Sequence, residues 1–486
     1  MLLPMSVSIL WFRQDLRLAD HAALQAALAR GGAVLPLYID AAGEEGLWAS
    51  GGAGRWWLGQ SLQALAGELA ARGSRLILRR GAALSVLQAL VHESGADAIF
   101  WTRRYEPALA ARDLALQREL RAAGLLAESR GGRLLAEPEQ LRNQSGGPFQ
   151  VFTPYWRAFL REIEVPLPTS APRLLPAPER WPRSQPAALA DLVPHAAWMD
   201  SLGEHWQPGE RPAHKQLQAF IDTALERYAD ARDRPAIAGT SRLSPRLQWG
   251  ELTPRQIWHA IGAACAARGQ EAAEWRSTKY LCELIWREFS YHLLHHWPTL
   301  PEAPVRAAFA AFPWREDPLQ LRAWQHGRTG IPLVDAGMRE LIATGWMHNR
   351  VRMVVASFLV KNLRIHWRHG ARWFLDTLVD ADLANNSQGW QWSAGCGADA
   401  APYFRIFNPV SQGQKFDPEG HYVRRWLPEL AALPDDYLHA PWLAPPLLLA
   451  ASGVTLGVHY PQPIVDLAVS RRNALGALQE MHAAFQ

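Results

Sequence analysis

The chain has 486 residues, 49% hydrophobic and 20% charged, with a formal net charge of +4 at pH 7. This composition excludes a disordered or fibrous protein, the length calls for two domains, and the small basic excess leans weakly toward a polyanionic partner. Three cysteines (Cys265, Cys282 and Cys396) without a CxxC pair argue against a disulfide framework or a zinc site and fit a reducing cytoplasm.

The start, MLLPMSVSILWF, has no cationic segment ahead of its apolar residues, so it reads as a first strand rather than a signal peptide. Residues 7–12, 34–39, 75–78 and 98–101 are short, mostly apolar, β-like runs. Between them, residues 53–71, 84–93 and 108–123 carry apolar side chains at helical spacing. This alternation predicts an α/β domain over residues 1–130, a doubly wound parallel sheet with helices on both faces. Such sheets bind ligands at the carboxyl ends of their strands. No GxGxxG or GxxxxGK[ST] is present, and the glycines at 51, 52 and 54 read as a loop without the required spacing. Residues 166–212 hold ten prolines, which exclude long helices and central strands. Residues 131–213 are therefore expected to form an interdomain linker on the surface, and residues 214–486 an all-α domain. No apolar run reaches membrane-spanning length.

Within the helical part, TSRLS at 240–244 offers hydroxyls and backbone donors ahead of a helix. It could hold a phosphate or simply cap that helix. Glu283, Trp286 and Arg287 stand at i, i+3 and i+4 and share one helix face. An acid, an indole and a guanidinium there could bind a flat polar ligand, or form an ordinary Glu283–Arg287 salt bridge beside a core tryptophan. Asn349, Arg352 and Met353 also share a face. Asp380 and Asp382 sit in an expected turn before Asn385 and Asn386. With few other ligands in view, capping or pairing with an arginine is favoured over a metal. His292, His295 and His296 lack a carboxylate partner pattern, which argues against a metal there too. The chain has 23 tryptophans. Buried indoles fill cores, stack on flat ligands, or carry electrons, and each buried N–H asks for a partner.

Taken together, WFRQDLRLADHAAL at 11–24, RWWL at 55–58, GTSRLSP at 239–245, ELIWREF at 283–289, GIPLVDAGMREL at 330–341, GWMHNRVRM at 345–353 and FDPEGHYVRRWLPEL at 416–430 resemble the photolyase/cryptochrome family over nearly the whole chain. The resemblance implies an α/β antenna domain, a linker, and a helical domain that binds FAD and DNA. WMHNRVRM is the form found in cyclobutane pyrimidine dimer photolyases. Photolyases for (6-4) photoproducts have histidine where Asn349 stands, and plant cryptochromes have aspartate where Asn386 aligns and usually continue into a long tail. Several segments nonetheless look close to plant cryptochromes, a combination that resembles the bacterial class III photolyases, with class I next.

The implied activity is light-driven dimer repair by electron transfer from excited reduced FAD. The implied flavin site uses Tyr228, Thr240, Ser241, Leu243, Ser244, Glu283, Arg287, Asn349, Arg352, Asp380, Asp382 and Asn386. In it Arg352 and Asp380 pair beside the isoalloxazine ring, and Asn386 sits at flavin N5. The implied lesion site uses Glu283, Trp286, Asn349, Met353 and Trp392, with Arg350 on DNA phosphates and Glu283 protonated so that it can donate to the dimer. Trp390, Trp367 and Trp314 match the family's electron-transfer chain. Tyr280 stands where many bacterial members have tryptophan. Ala108 and Leu109 replace the Asn and Glu of one known folate site. Methenyltetrahydrofolate remains the first choice of antenna, bound differently, with an 8-hydroxy-deazaflavin second. A monomeric cytoplasmic enzyme acting on DNA that contains pyrimidine dimers is expected. The rivals are a cryptochrome-type blue-light receptor and a flavoenzyme that needs no light and binds no DNA.

Overall fold

The computed structural model describes residues 6–185, 196–400 and 404–484. Residues 1–5 of the expected first segment and 186–195 of the expected linker lie outside them. Among the described residues, five strands form one sheet: β1 (Val7–Phe12), β2 (Ala33–Asp40), β3 (Ile77–Arg80), β4 (Ala98–Thr102) and β5 (Leu126–Arg130). Their order is β3-β2-β1-β4-β5 and every pair is parallel. Helices α1 (Ala22–Ala29), α2 (Gly52–Ala70), α3 (Ala83–Ser94) and α4 (Pro107–Ala122) cover it. Because successive side chains point to opposite faces, Leu10, Phe12, Val34 and Phe100 meet Leu24 of α1 and Trp57 and Leu62 of α2. Ile9, Trp11, Leu35, Ile99 and Trp101 meet Leu87 of α3 and Leu116 of α4 on the other side. Both faces are buried, which is why the central strands read as unbroken apolar runs.

Three sequence expectations shift. The third strand lies at 77–80 rather than 75–78. Strand β5 and helix α1 were not anticipated: β5 (LAESR) is a polar edge strand, and α1 (AALQAALA) is too alanine-rich to show an amphipathic contrast. The glycine cluster is not a free loop. Gly51 is the N-cap residue of α2, and Gly52 N donates to Asp376 Oδ1 at 2.9 Å, on a helix of the other domain. A Cβ on Gly51 would run into the Asp376 backbone, so glycine here permits close approach of the two domains.

Buried Glu251 holds that contact. Its carboxylate accepts from Trp57 Nε1 at 3.0 Å, Gly209 N at 2.6 Å and Arg246 Nη1 at 2.7 Å, as well as from Ser61 Oγ. An acid fully removed from water is tolerated only with such complete pairing. The proline-rich segment runs as a strap on the sheet: Val34 N donates to Pro176 O, Leu78 N to Ser184 Oγ, and Gln185 N to Leu78 O. Helix α5 (Phe152–Glu162), inside the stretch read as linker, packs its Phe152, Tyr155 and Phe159 into the core of the helical domain with Ile285 and Phe289. Among the described residues, no helix is long and apolar enough to cross a membrane.

Candidate active site

A cavity of about 380 Å³ opens in the helical domain. The helix Lys279–His296 supplies Glu283, Trp286 and Arg287 to its wall. The Glu283–Arg287 bridge that their spacing allows is not formed. Glu283 instead accepts from Arg232 Nη1 and lies 3.0 Å from Lys279 Nζ, one turn earlier. Arg287 Nη1 donates to the Arg133 carbonyl at 2.9 Å and pairs with Glu288 at 3.1 Å. Burial raises the Glu288 carboxyl to about 7, against the opposing pull of Arg287 and of the Leu135 N–H, which it accepts at 2.6 Å.

The helix Asn349–Ser357 supplies Asn349, Arg352 and Met353. Its N-cap is His348, whose Nδ1 accepts from Arg350 N at 3.2 Å. That cap starts the helix, one face of which presents the three side chains to the cavity. Arg350 turns away to pair with Asp233 at 2.7 Å and to lie over the Phe416 ring.

The two aspartates take the pairing and capping roles that their spacing favoured. Asp380 Oδ2 accepts from Arg352 Nη2 at 2.8 Å and from Ser244 Oγ at 2.6 Å. Asp382 caps the helix Leu383–Ala394, its Oδ1 accepting from Asn385 N and Nδ2 at 2.9 Å each, and its Oδ2 accepts from Tyr291 OH. Arg133 Nη2 in turn donates to Tyr291 OH at 2.8 Å. Tyr291 and Arg133 were missed in the sequence. Tyr291 was within reach, one turn beyond Arg287 on the same face, whereas Arg133 comes from a distant segment. On the helix Leu383–Ala394, Asn386 Nδ2 donates to Ala371 O at 2.9 Å. Trp390 is 2% exposed and lies where any Cβ on Gly370 would clash with its ring.

Other expected residues stand outside this wall. Trp367 is buried and Trp314 half-buried, with the His366 ring between them at 5.5 and 5.0 Å. In the 240–244 loop, Ser241 Oγ accepts from Tyr280 OH at 3.1 Å, and the Tyr228 ring meets Tyr280 edge-on at 5.1 Å. Leu243, not a hydroxyl residue, occupies the N-cap of the short helix Ser244–Gln248 and makes no side-chain cap bond. A capping-type bond is nonetheless present, since Ser241 Oγ accepts from Leu243 N at 3.3 Å just ahead of the helix. Arg242 holds a left-handed φ of 51°, with its guanidinium between the Trp206 and Trp346 rings, and Gln216 Nε2 donates to the Ser241 and Arg242 carbonyls at 2.8 Å each. Ser244 alone of this group reaches the cavity, through Asp380.

Arg287 Nη2 and Asp380 Oδ1, on two wall residues of the cavity, are buried without a partner among the described residues. Unpaired polar atoms of this kind are costly. A cation and an acid so placed suit a ligand carrying both anionic groups and hydrogen-bond donors, which is the chemistry of a flavin dinucleotide with its phosphates and hydroxyls.

The profile described as DNA photolyase matches residues 8–173, and that of the FAD binding domain of DNA photolyase matches residues 280–480. The deoxyribodipyrimidine photo-lyase of Agrobacterium fabrum is 48% identical over 471 residues, spanning 96% of this chain and 97% of that protein. Cryptochrome-1 of Arabidopsis thaliana is 40% identical, over 98% of this chain and 70% of its own length. The crystal structure of a bacterial class III photolyase from Agrobacterium tumefaciens superposes with a TM-score of 0.94 at 47% identity, covering 99% of each chain. Sequence, fold and a cavity with unpaired polar groups thus lead to one assignment: the chain belongs to the photolyase/cryptochrome family and binds FAD in its helical domain.

Proposed function

We propose that this protein is a deoxyribodipyrimidine photo-lyase of the class III kind, which splits cyclobutane pyrimidine dimers in DNA under light. The observation that carries the reading is one cavity wall that joins a paired polar cluster, Arg352 with Asp380, to the apolar surfaces of Trp286, Trp392 and Met353. The polar side suits a flavin and the apolar side a flipped dimer, so donor and acceptor would share one space. FAD held there, when reduced and excited by light, would supply the one-electron chemistry that dimer splitting needs.

The residues divide the remaining work. Arg352 and Asp380 hold the isoalloxazine side, and Arg287 and the 240–244 loop bind the polar remainder of the cofactor, with Tyr228, Thr240, Ser241 and Leu243 shaping that loop. Asn386, whose amide donates to the Ala371 carbonyl, would set a neutral amide at flavin N5, where a carboxylate would couple the flavin to proton transfer. Trp286 and Trp392 stack on the dimer, and Asn349 and Glu283 bond to its polar edge. To donate a hydrogen bond there, Glu283 must leave Arg232 and Lys279. A dimer pairs and stacks poorly, so its extrusion costs less than that of normal bases. Arg350, next to Asn349 in the chain, binds backbone phosphate. Trp390, Trp367 and Trp314 carry electrons from the surface to oxidised flavin.

For the antenna we favour methenyltetrahydrofolate over an 8-hydroxy-deazaflavin. A crevice of about 130 Å³ between the domains is lined by Glu45, Trp48, Arg104 and Glu106 along with Ala108 and Leu109. Glu45 suits the amino edge of a pterin, whereas Arg104 and Glu106 are paired with each other at 2.9 Å and form a polar wall beside it.

The second reading is a blue-light receptor, which the 40% identity to a cryptochrome favours; the neutral Asn386 speaks against it. Light-dependent reversal of a thymine dimer in an oligonucleotide, with a dark control, separates the two. No reversal by the reduced holoenzyme would overturn the repair reading.

A further inference from the structure

The Trp286 indole is not held by its own helix alone. Its ring lies on that of Phe152, with 3.7 Å between centroids and 10° between planes, and meets Phe289 edge-on at 5.8 Å. Phe152 is buried, and its ring runs parallel to Trp156 at 6.3 Å. As the first residue of α5, Phe152 has a backbone N–H without an intrahelical partner. The carboxyl of Asp399, a few residues beyond the helix that carries Trp392, lies near that N–H, which favours its charged form against the opposing effect of burial. One residue thus touches Trp286 through its ring, while its backbone lies near the segment after Trp392.

We propose that Phe152 is a positioning residue for lesion specificity: it fixes the plane of Trp286 and so sets the preference for dimer over undamaged DNA. The inference rests on the reading of Trp286 as the stacking surface for the dimer. Stacking requires a defined ring plane, and a plane held before binding leaves less freedom to be lost on binding. An aliphatic side chain at 152 would fill much of the same volume but leave the indole free to turn. Undamaged DNA, gripped at its phosphates, does not call on that plane.

The experiment compares wild type, Phe152→Leu, Phe152→Tyr and Asp399→Ala as FAD-loaded proteins. It measures affinity for an oligonucleotide with one thymine dimer, affinity for the same oligonucleotide undamaged, and bound FAD. Phe152→Leu should lose roughly three- to tenfold in dimer affinity, the scale of one aromatic pair, with undamaged binding and FAD content unchanged. Phe152→Tyr should restore the preference. Asp399→Ala, which leaves the ring packing in place, should show a smaller selective loss and carries the test if Phe152→Leu sheds FAD. An equal loss for both DNAs, no loss, or a tyrosine variant that fails to restore preference while retaining FAD overturns the proposal. If wild type itself shows no preference for the dimer, the repair reading beneath it falls instead.

Discussion

Arg352 and Asp380 meet at 2.8 Å in the cavity wall, and Asp380 also accepts the Ser244 hydroxyl at 2.6 Å. One carboxylate therefore ties the helix that carries Asn349 to the loop that precedes Ser244. Its other oxygen has no partner among the described residues, so a ligand arriving there completes an arrangement already built.

This relationship makes flavin retention the first thing to measure. Asp380→Asn should weaken FAD binding roughly ten- to hundredfold, the scale of about 1–3 kcal/mol for leaving a charged partner unsatisfied. Gel filtration followed by absorbance of released flavin gives the bound fraction. Full occupancy in the variant would remove Asp380 from the cofactor site.

Trp314→Phe should block photoreduction of oxidised flavin while leaving repair by the prereduced enzyme unchanged. Phenylalanine keeps the packing beside His366 but is much harder to oxidise. Transient absorption after a blue flash checks it, and wild-type kinetics in the variant would send the electrons by another route.

Binding to dimer-containing DNA should weaken steeply with salt as counterions are released. Arg350→Ala should weaken damaged and undamaged DNA alike and reduce the salt slope by about one. Because Arg350 pairs with Asp233 at 2.7 Å, it must exchange that partner for phosphate, and Asp233→Asn should strengthen binding to both DNAs. A loss confined to damaged DNA would put Arg350 inside the lesion pocket.

Glu283→Gln keeps a donor and should retain most of the dimer affinity, whereas Glu283→Ala should cost about 1–3 kcal/mol. Repair yield should drop in both, since only the acid can share a proton with the reacting dimer. Neither should shed FAD, because Glu283 pairs with Arg232 and Lys279 and not with Arg287. Full yield from Glu283→Gln would end the proton-sharing role.

Burial pulls the His348 imidazole down to about 4. Its Nδ1 accepts the Arg350 N–H at the start of the helix that bears Arg352 and Met353, and protonation there would abolish the cap. The folded state thus binds the proton less readily than the unfolded chain, whose histidine titrates near 6.5. Its contribution is full above 6.5 and is lost as pH falls through about 4. His348→Asn, which caps without titrating, should flatten the pH dependence of the melting temperature between those limits. Parallel curves for the two proteins would rule this histidine out as the source.

The central strands were legible because burial on both faces leaves no polar punctuation in them, and the aspartates because short-range spacing limits what two acids in a turn can do. Partners across the chain were not legible. Arg232 sits 51 positions from Glu283, and nothing in a helical repeat announces that it outcompetes Arg287 four residues away. Helix α5 was absorbed into the linker because the prolines after it dominate that stretch, although Phe152, Tyr155 and Phe159 carry a helical period. Tyr291 shows the same limit from the other side: its face was readable, but its bond to Asp382 belongs to the fold.

The strap of residues 184 and 185 on Leu78 has a consequence for the life of the protein in a crowded solution. An open sheet has two rims, and each can recruit a strand from another molecule. On one rim the chain supplies its own cover, since Gln185 N and Ser184 Oγ take up the bonding groups of Leu78 in β3. On the other, β5 carries Glu128 and Arg130. A proteolytic cut that released the strap would leave the cavity chemistry untouched and turn the β3 rim into a template for aggregation.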